Sequence, residues 1–138
     1  MARILLVDDE ASILSVLSTL LKAEGHEVVP VLGAEKAQEV IKSQKFDLMI
    51  SDIRMSPVDG MQLLRMIRKE KPDTAAIMIT AYGSVETAVE AMKEGAFDYV
   101  TKPFKVDELL ITVTRALEYR DAMAENVTLK AQLESKYQ

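Results

Sequence analysis

The sequence contains no cysteine, which removes disulfide frameworks, thiolate metal sites and cysteine nucleophiles. A single histidine, His26, is too few for a zinc site built on imidazole, and any Ser-His-Asp triad would have to pass through it. No apolar run exceeds five residues, so neither a membrane-spanning segment nor a signal peptide is expected. Only five glycines and four prolines are spread along the chain, with no linker rich in either. Positive charge is in deficit: the formal net charge of −5 argues against direct nucleic-acid binding by this segment. What is present is 138 residues, 49% of them hydrophobic, enough for one domain with its own core. The expectation is a soluble, cytoplasmic α/β domain whose chemistry rests on Asp, Glu, Lys, Ser, Thr or a bound ion.

Short apolar runs alternate with longer helical patterns. Ile4 to Val7, Val28-Val29, Phe46 to Ile50, Ala75 to Ile79 and Phe97 to Val100 fit buried strands. Between them, Ile13, Leu17, Leu20 and Leu21 share one helical face, as do Ala37, Val40 and Ile41. Met61, Leu64 and Ile67 make a third such face; Val85, Ala88, Val89 and Met92 make a fourth, with Ser84 as its N-cap and Gly95 just past its end. The alternation βαβαβαβαβα predicts a parallel sheet covered on both faces. From Val106 to Gln138 no glycine or proline interrupts the last helical pattern, which would span about 50 Å. Its far half carries Ala122, Asn126, Leu129 and Leu133 at heptad-like spacing. A short parallel coiled coil and a frayed, solvated tail are the two readings of that stretch.

Polar residues gather where strands end. The first strand runs into Asp8-Asp9, the third into Ser51-Asp52, the fourth into Thr80 and the fifth into Thr101-Lys102-Pro103. In a parallel sheet these ends share one edge, the edge at which open α/β sheets bind ligands. Three carboxylates close together need a cation or a shared proton. Magnesium suits them, since it takes one or two carboxylates, waters and phosphate oxygens. A carboxylate held beside such an ion, an ammonium and a hydroxyl is placed to attack a phosphoryl group.

These pieces closely resemble bacterial two-component response-regulator receiver domains. The match runs through Ile4 to Asp9, Asp52, Asp59-Gly60, Thr80-Ala81 and Tyr99-Val100-Thr101-Lys102-Pro103-Phe104, and covers Ala2 to about Tyr119. The resemblance implies a flavodoxin-like five-stranded parallel sheet of order 2-1-3-4-5 with helices on both faces and an extended C-terminal helix. Residues 1–120 would be the receiver and 121–138 a helical linker extension. It implies Asp52 as phosphoacceptor, with Mg²⁺ held by Asp8, Asp9, Asp52 and the backbone carbonyl of Arg54. Thr80, Ala81, Tyr99 and Lys102 would bind the phosphoryl group and carry the switch, and Lys102-Pro103 would be a cis peptide. The phosphodonor would be a sensor histidine kinase. The helix that outgrows the sheet adds the expectation of a homodimer, tied at least partly through its far half.

The stretches Ser51 to Met55, Thr80 to Ala88 and Gly95 to Tyr99 most resemble enhancer-binding transcriptional activators of the nitrogen-regulation type. In those, ATPase and DNA-binding domains follow in a longer parent chain. One departure is Met55-Ser56-Pro57, where proline falls one place later than the family's usual position. Two other readings are a degenerate receiver serving only to bind protein, and a magnesium-dependent aspartyl phosphatase. The first usually lacks an acidic or lysine position, and none is missing. The second needs an Asp two residues after the nucleophile, where Arg54 stands.

Overall fold

The computed structural model describes residues 2–55, 58–81 and 85–137, with the side chains of the last helix described through residue 123. The chain runs β1 (Arg3–Asp8), α1 (Ala11–Ala23), β2 (Glu27–Leu32), α2 (Ala34–Ser43), β3 (Leu48–Asp52), α3 (Gly60–Glu70), β4 (Ala75–Ala81), α4 (Val85–Lys93), β5 (Asp98–Lys102) and α5 (Val106–Tyr137). All five strands are parallel and lie in the order β2-β1-β3-β4-β5. The alternation read from the sequence therefore gives the expected fold. The weak Val28-Val29 signal marks a full edge strand, which accommodates Pro30 opposite Leu6.

Side chains of a strand alternate between faces, and the two cores follow that count. Leu5, Val7, Met49, Ala76 and Met78 meet Ala37, Ile41, Leu64, Ile67 and Ala91 of α2, α3 and α4. Ile4, Leu6, Leu48, Ile50, Ile77 and Ile79 meet Leu14, Leu17, Leu21, Leu109, Val113 and Ala116 of α1 and α5. With both faces covered, central strands carry continuous apolar runs, as parallel sheets require.

The helix ends are set locally. Asp59 caps α3: its Oδ1 accepts from the Gln62 backbone N–H at 3.0 Å, and Gln62 Oε1 accepts from the Asp59 N–H at 3.1 Å. α5 continues unbroken to Tyr137, so the extension read over 121–138 is helical through that residue. The N-cap role of Ser84, the placement of Pro57 and the seam of Asn126, Leu129 and Leu133 fall outside the described residues and side chains. Ala122, the first residue of that seam, is exposed.

Candidate functional site

Register brings the polar strand ends together. Val7 pairs with Ser51, Asp52 with Ile79, and Ala81 with Lys102. Counting by twos from the core residues puts Asp8, Asp52 and Lys102 on the α1/α5 side of the sheet. The same count puts Thr80 and Tyr99 on the α4 side.

Lys102 is the hub of the first group. Its Nζ donates to Asp52 Oδ2 at 2.8 Å and lies 3.6 Å from Asp8 Oδ2 and 4.0 Å from Glu10 Oε1. The next peptide, Lys102-Pro103, is cis. Asp52 is 6% exposed, and its second oxygen, Oδ1, accepts the Arg54 backbone N–H at 3.2 Å. Asp8 is fully buried. Its Oδ1 accepts from the Glu10 backbone N–H at 3.0 Å, while its Oδ2 has no hydrogen-bond partner among the described residues. Burial raises the Asp8 carboxyl pKa to about 6; the Glu10 N–H and Lys102 oppose that rise, and the charge of Asp52 adds to it. For Lys102, burial works against the charged form. The hydrogen bond and charge of Asp52, with Asp8 and Glu10 behind it, outweigh burial and hold the ammonium above its usual pKa.

Carboxylate oxygens of Asp8, Asp9 and Glu10 lie within 4.8 Å of one another. Glu10 is the member that sequence reasoning missed, although it directly follows the acidic pair. The donor set is all oxygen, and one of its oxygens is buried without a partner, so the cluster fits a hard divalent cation. Asp52 turns its carboxylate to Lys102, beside this cluster.

The second group is arranged differently. Thr80 is buried and its hydroxyl has no partner among the described residues. Ala81 closes β4 half-buried, and Tyr99 is 40% exposed. Behind Asp52, Gly60 donates its N–H to the Ile53 carbonyl at 2.8 Å, so α3 begins directly against the end of β3.

Fold and edge together define a doubly wound α/β domain with an acid–lysine site where the strand order reverses, between β1 and β3. The response regulator receiver domain profile matches residues 4–114, and the chain belongs to that family, the regulatory partner in two-component signalling. The response regulator protein FleR of Pseudomonas aeruginosa is 46% identical over 114 residues, 83% of this chain and 24% of FleR. The crystal structure of NtrX from Brucella abortus superposes with a TM-score of 0.88 at 38% identity, covering 93% of this chain and 30% of that one. The solution structure of the beryllofluoride-activated NtrC4 receiver domain dimer gives a TM-score of 0.80 at 39% identity, covering 86% and 98%. The chain thus spans about a quarter of the curated relative's length. These relatives belong to the enhancer-binding type that the sequence resembles.

Proposed function

We propose that this chain is a phosphoacceptor switch in which Asp52 takes a phosphoryl group from a phosphohistidine of a sensor histidine kinase. The observation that carries this reading is the buried Asp52 carboxylate held 2.8 Å from Lys102, with Asp8 beside them. In the transfer, an Asp52 oxygen forms a bond to phosphorus as the phosphorus–nitrogen bond breaks, and the electron pair stays on the imidazole nitrogen. Catalysis here is positioning and charge neutralisation. Lys102, already drawn among carboxylates, offsets charge on the incoming phosphoryl oxygens. Asp8 and Asp9, with Asp52 and the Arg54 carbonyl, would hold Mg²⁺, and Glu10 lies within reach. Bound there, the ion supplies the positive charge that lets an anionic acceptor meet an anionic donor.

Thr80 and Tyr99 form the switch pair in this reading. The Thr80 hydroxyl, without a partner among the described residues, is available to a phosphoryl oxygen next to Ala81, whose small side chain leaves room. Tyr99 shares its face of the sheet and moves inward when Thr80 is drawn toward the phosphoryl group. The domain accepts and loses its own phosphoryl group and turns over no separate substrate. Against a phosphatase, Arg54 occupies the place of the second acid; against a degenerate receiver, every acidic and lysine position is filled.

The relatives support a reading of the setting. The chain acts in the cytoplasm, and among the described residues no helix is long and apolar enough to cross a membrane. ATPase and DNA-binding domains lie elsewhere in a longer parent chain, so regulation of transcription passes through them. The solved NtrC4 receiver is a dimer in its beryllofluoride-activated form. Here the extension of α5 would contribute to a homodimer.

Two experiments test this. Acetyl phosphate with Mg²⁺ should add one phosphoryl group by intact mass to the wild type and none to Asp52→Asn; equal labelling of both overturns the assignment. Sedimentation should show weaker association for a chain ending at Met123 than for the full chain. Equal association constants would remove the extension from the interface.

A further inference from the structure

α5 is held beneath the sheet by Leu109, Val113 and Ala116, one apolar stripe of the core it shares with α1. Two residues beyond that stripe grip the body in another way. The Tyr119 ring lies 5.3 Å, centroid to centroid, from Phe97, the residue before β5. Arg120 reaches a different part of the same sheet edge. Its Nε donates to the Asp73 carbonyl at 2.8 Å, and its Nη2 lies 3.2 Å from Asp47 Oδ1. Asp47 is itself a junction: its Oδ2 accepts from the Arg3 backbone N–H at 2.8 Å and its carbonyl from the Ala75 N–H at 3.2 Å. One guanidinium therefore ties the helix to the chain entering β1, β3 and β4, while its neighbour ties it to the chain entering β5.

Successive helical residues point about 100° apart, so the two grips act from different sides. A planar guanidinium with two nitrogens engaged on the body, and its third 3.3 Å from Asp121 Oδ1 on the helix itself, resists rotation in a way a single ammonium contact would not. Immediately after them Asp121, Ala122 and Met123 are exposed, and the helix runs on to Tyr137, about 26 Å further. No glycine or proline follows Val106 to bend it.

We propose that Arg120, with Tyr119, is a clamp that fixes the direction in which the helical extension leaves the receiver, so that the two move as one rigid body. Arg120 is a positioning residue, remote from the phosphoacceptor. The inference goes beyond the proposed phosphoryl chemistry and stands whether or not the extension pairs with a second copy.

The absence of cysteine makes the test direct. Nitroxides placed by Lys22→Cys and Thr128→Cys, in full-length chain diluted with excess unlabelled chain, report the intramolecular distance by pulsed dipolar spectroscopy. The parent pair should give one narrow distribution. Arg120→Gln should at least double its width while body amides remote from residues 47, 73 and 120 keep their positions. Asp47→Asn, which keeps an acceptor for the Arg3 N–H, should also broaden it, and the double variant should be no broader than the wider single one. A distribution as narrow in Arg120→Gln as in the parent, or additive broadening in the double variant, overturns the clamp. Should Arg120→Gln lose its dispersed amide spectrum, Asp47→Asn decides alone: parent-like width overturns the clamp, and broadening supports it.

Discussion

Replacing Gly60 by alanine places a methyl carbon 2.1 Å from the Asp52 carbonyl oxygen and 2.8 Å from the Ile53 Cα. Both obstacles are backbone, and ordinary contacts of such a carbon start above 3 Å, so the start of α3 must retreat by about 1 Å. Retreat weakens the 2.8 Å bond from the Gly60 N–H to Ile53, worth about 0.5–1.5 kcal/mol. Overpacking adds about 1–3 kcal/mol. The expected loss is therefore about 2–4 kcal/mol, or about 10 °C in Tm for a chain of this size. Gly25→Ala is the control. Gly25 has a φ of 90° but nothing within 4 Å of an added Cβ, so only the left-handed backbone penalty of about 1–2 kcal/mol applies. Urea unfolding of both variants separates steric contact from backbone conformation. On the proposed function, phosphorylation by acetyl phosphate should also slow in Gly60→Ala, because the displaced start of α3 packs against the Asp52 backbone, and should not slow in Gly25→Ala. If Gly60→Ala loses no more stability than Gly25→Ala, the close approach of α3 to Asp52 is not a tight contact.

Two further outcomes follow from the buried polar atoms at the site. Asp8 holds its proton more tightly when folded, with a pKa of about 6 against 3.8, so its contribution favours the folded state below pH 4 and is lost as pH rises through 6. Without divalent cations, wild-type stability should fall by up to about 3 kcal/mol relative to Asp8→Asn between pH 4 and 7; parallel pH profiles for the two would contradict the raised pKa. Thr80→Val keeps the shape and removes a buried hydroxyl with no partner among the described residues, so it should stabilise the unphosphorylated fold by about 1 kcal/mol while abolishing the phosphorylation-induced amide shifts around α4 and β5. Unaltered shifts in Thr80→Val would take that hydroxyl out of the switch.

Much of this architecture is legible in the residues because the parallel sheet imposes local rules. Each buried strand is a short apolar run ending in a polar residue, and Asp8, Asp52, Thr80 and Lys102 are readable as one edge once the strands are taken as parallel. Glu10 was adjacent to the acidic pair but reaches Lys102 only through the way the chain turns into α1. The capping box of Asp59 and Gln62 has a spacing that sequence inspection can find, yet its importance lies in Gly60 between them, whose clearance from Asp52 belongs to packing. Arg120 and Asp47 are far apart in sequence and carry no motif; only the folded helix shows that they meet.

Strand parity adds a constraint that a list of site residues would hide. Asp8, Asp52 and Lys102 share the α1/α5 side, whereas Thr80 and Tyr99 share the α4 side, so the sheet itself separates the charged group from the hydroxyl pair. A group bound at Asp52 can reach Thr80 only around the carboxyl ends of β3 and β4, where the ladder stops and Ala81 leaves space. Slipping β4 by one residue would put Thr80 beside Lys102 and turn an apolar residue toward α4. The register that builds the core therefore also decides which side of the sheet hears of an event at the acid–lysine site.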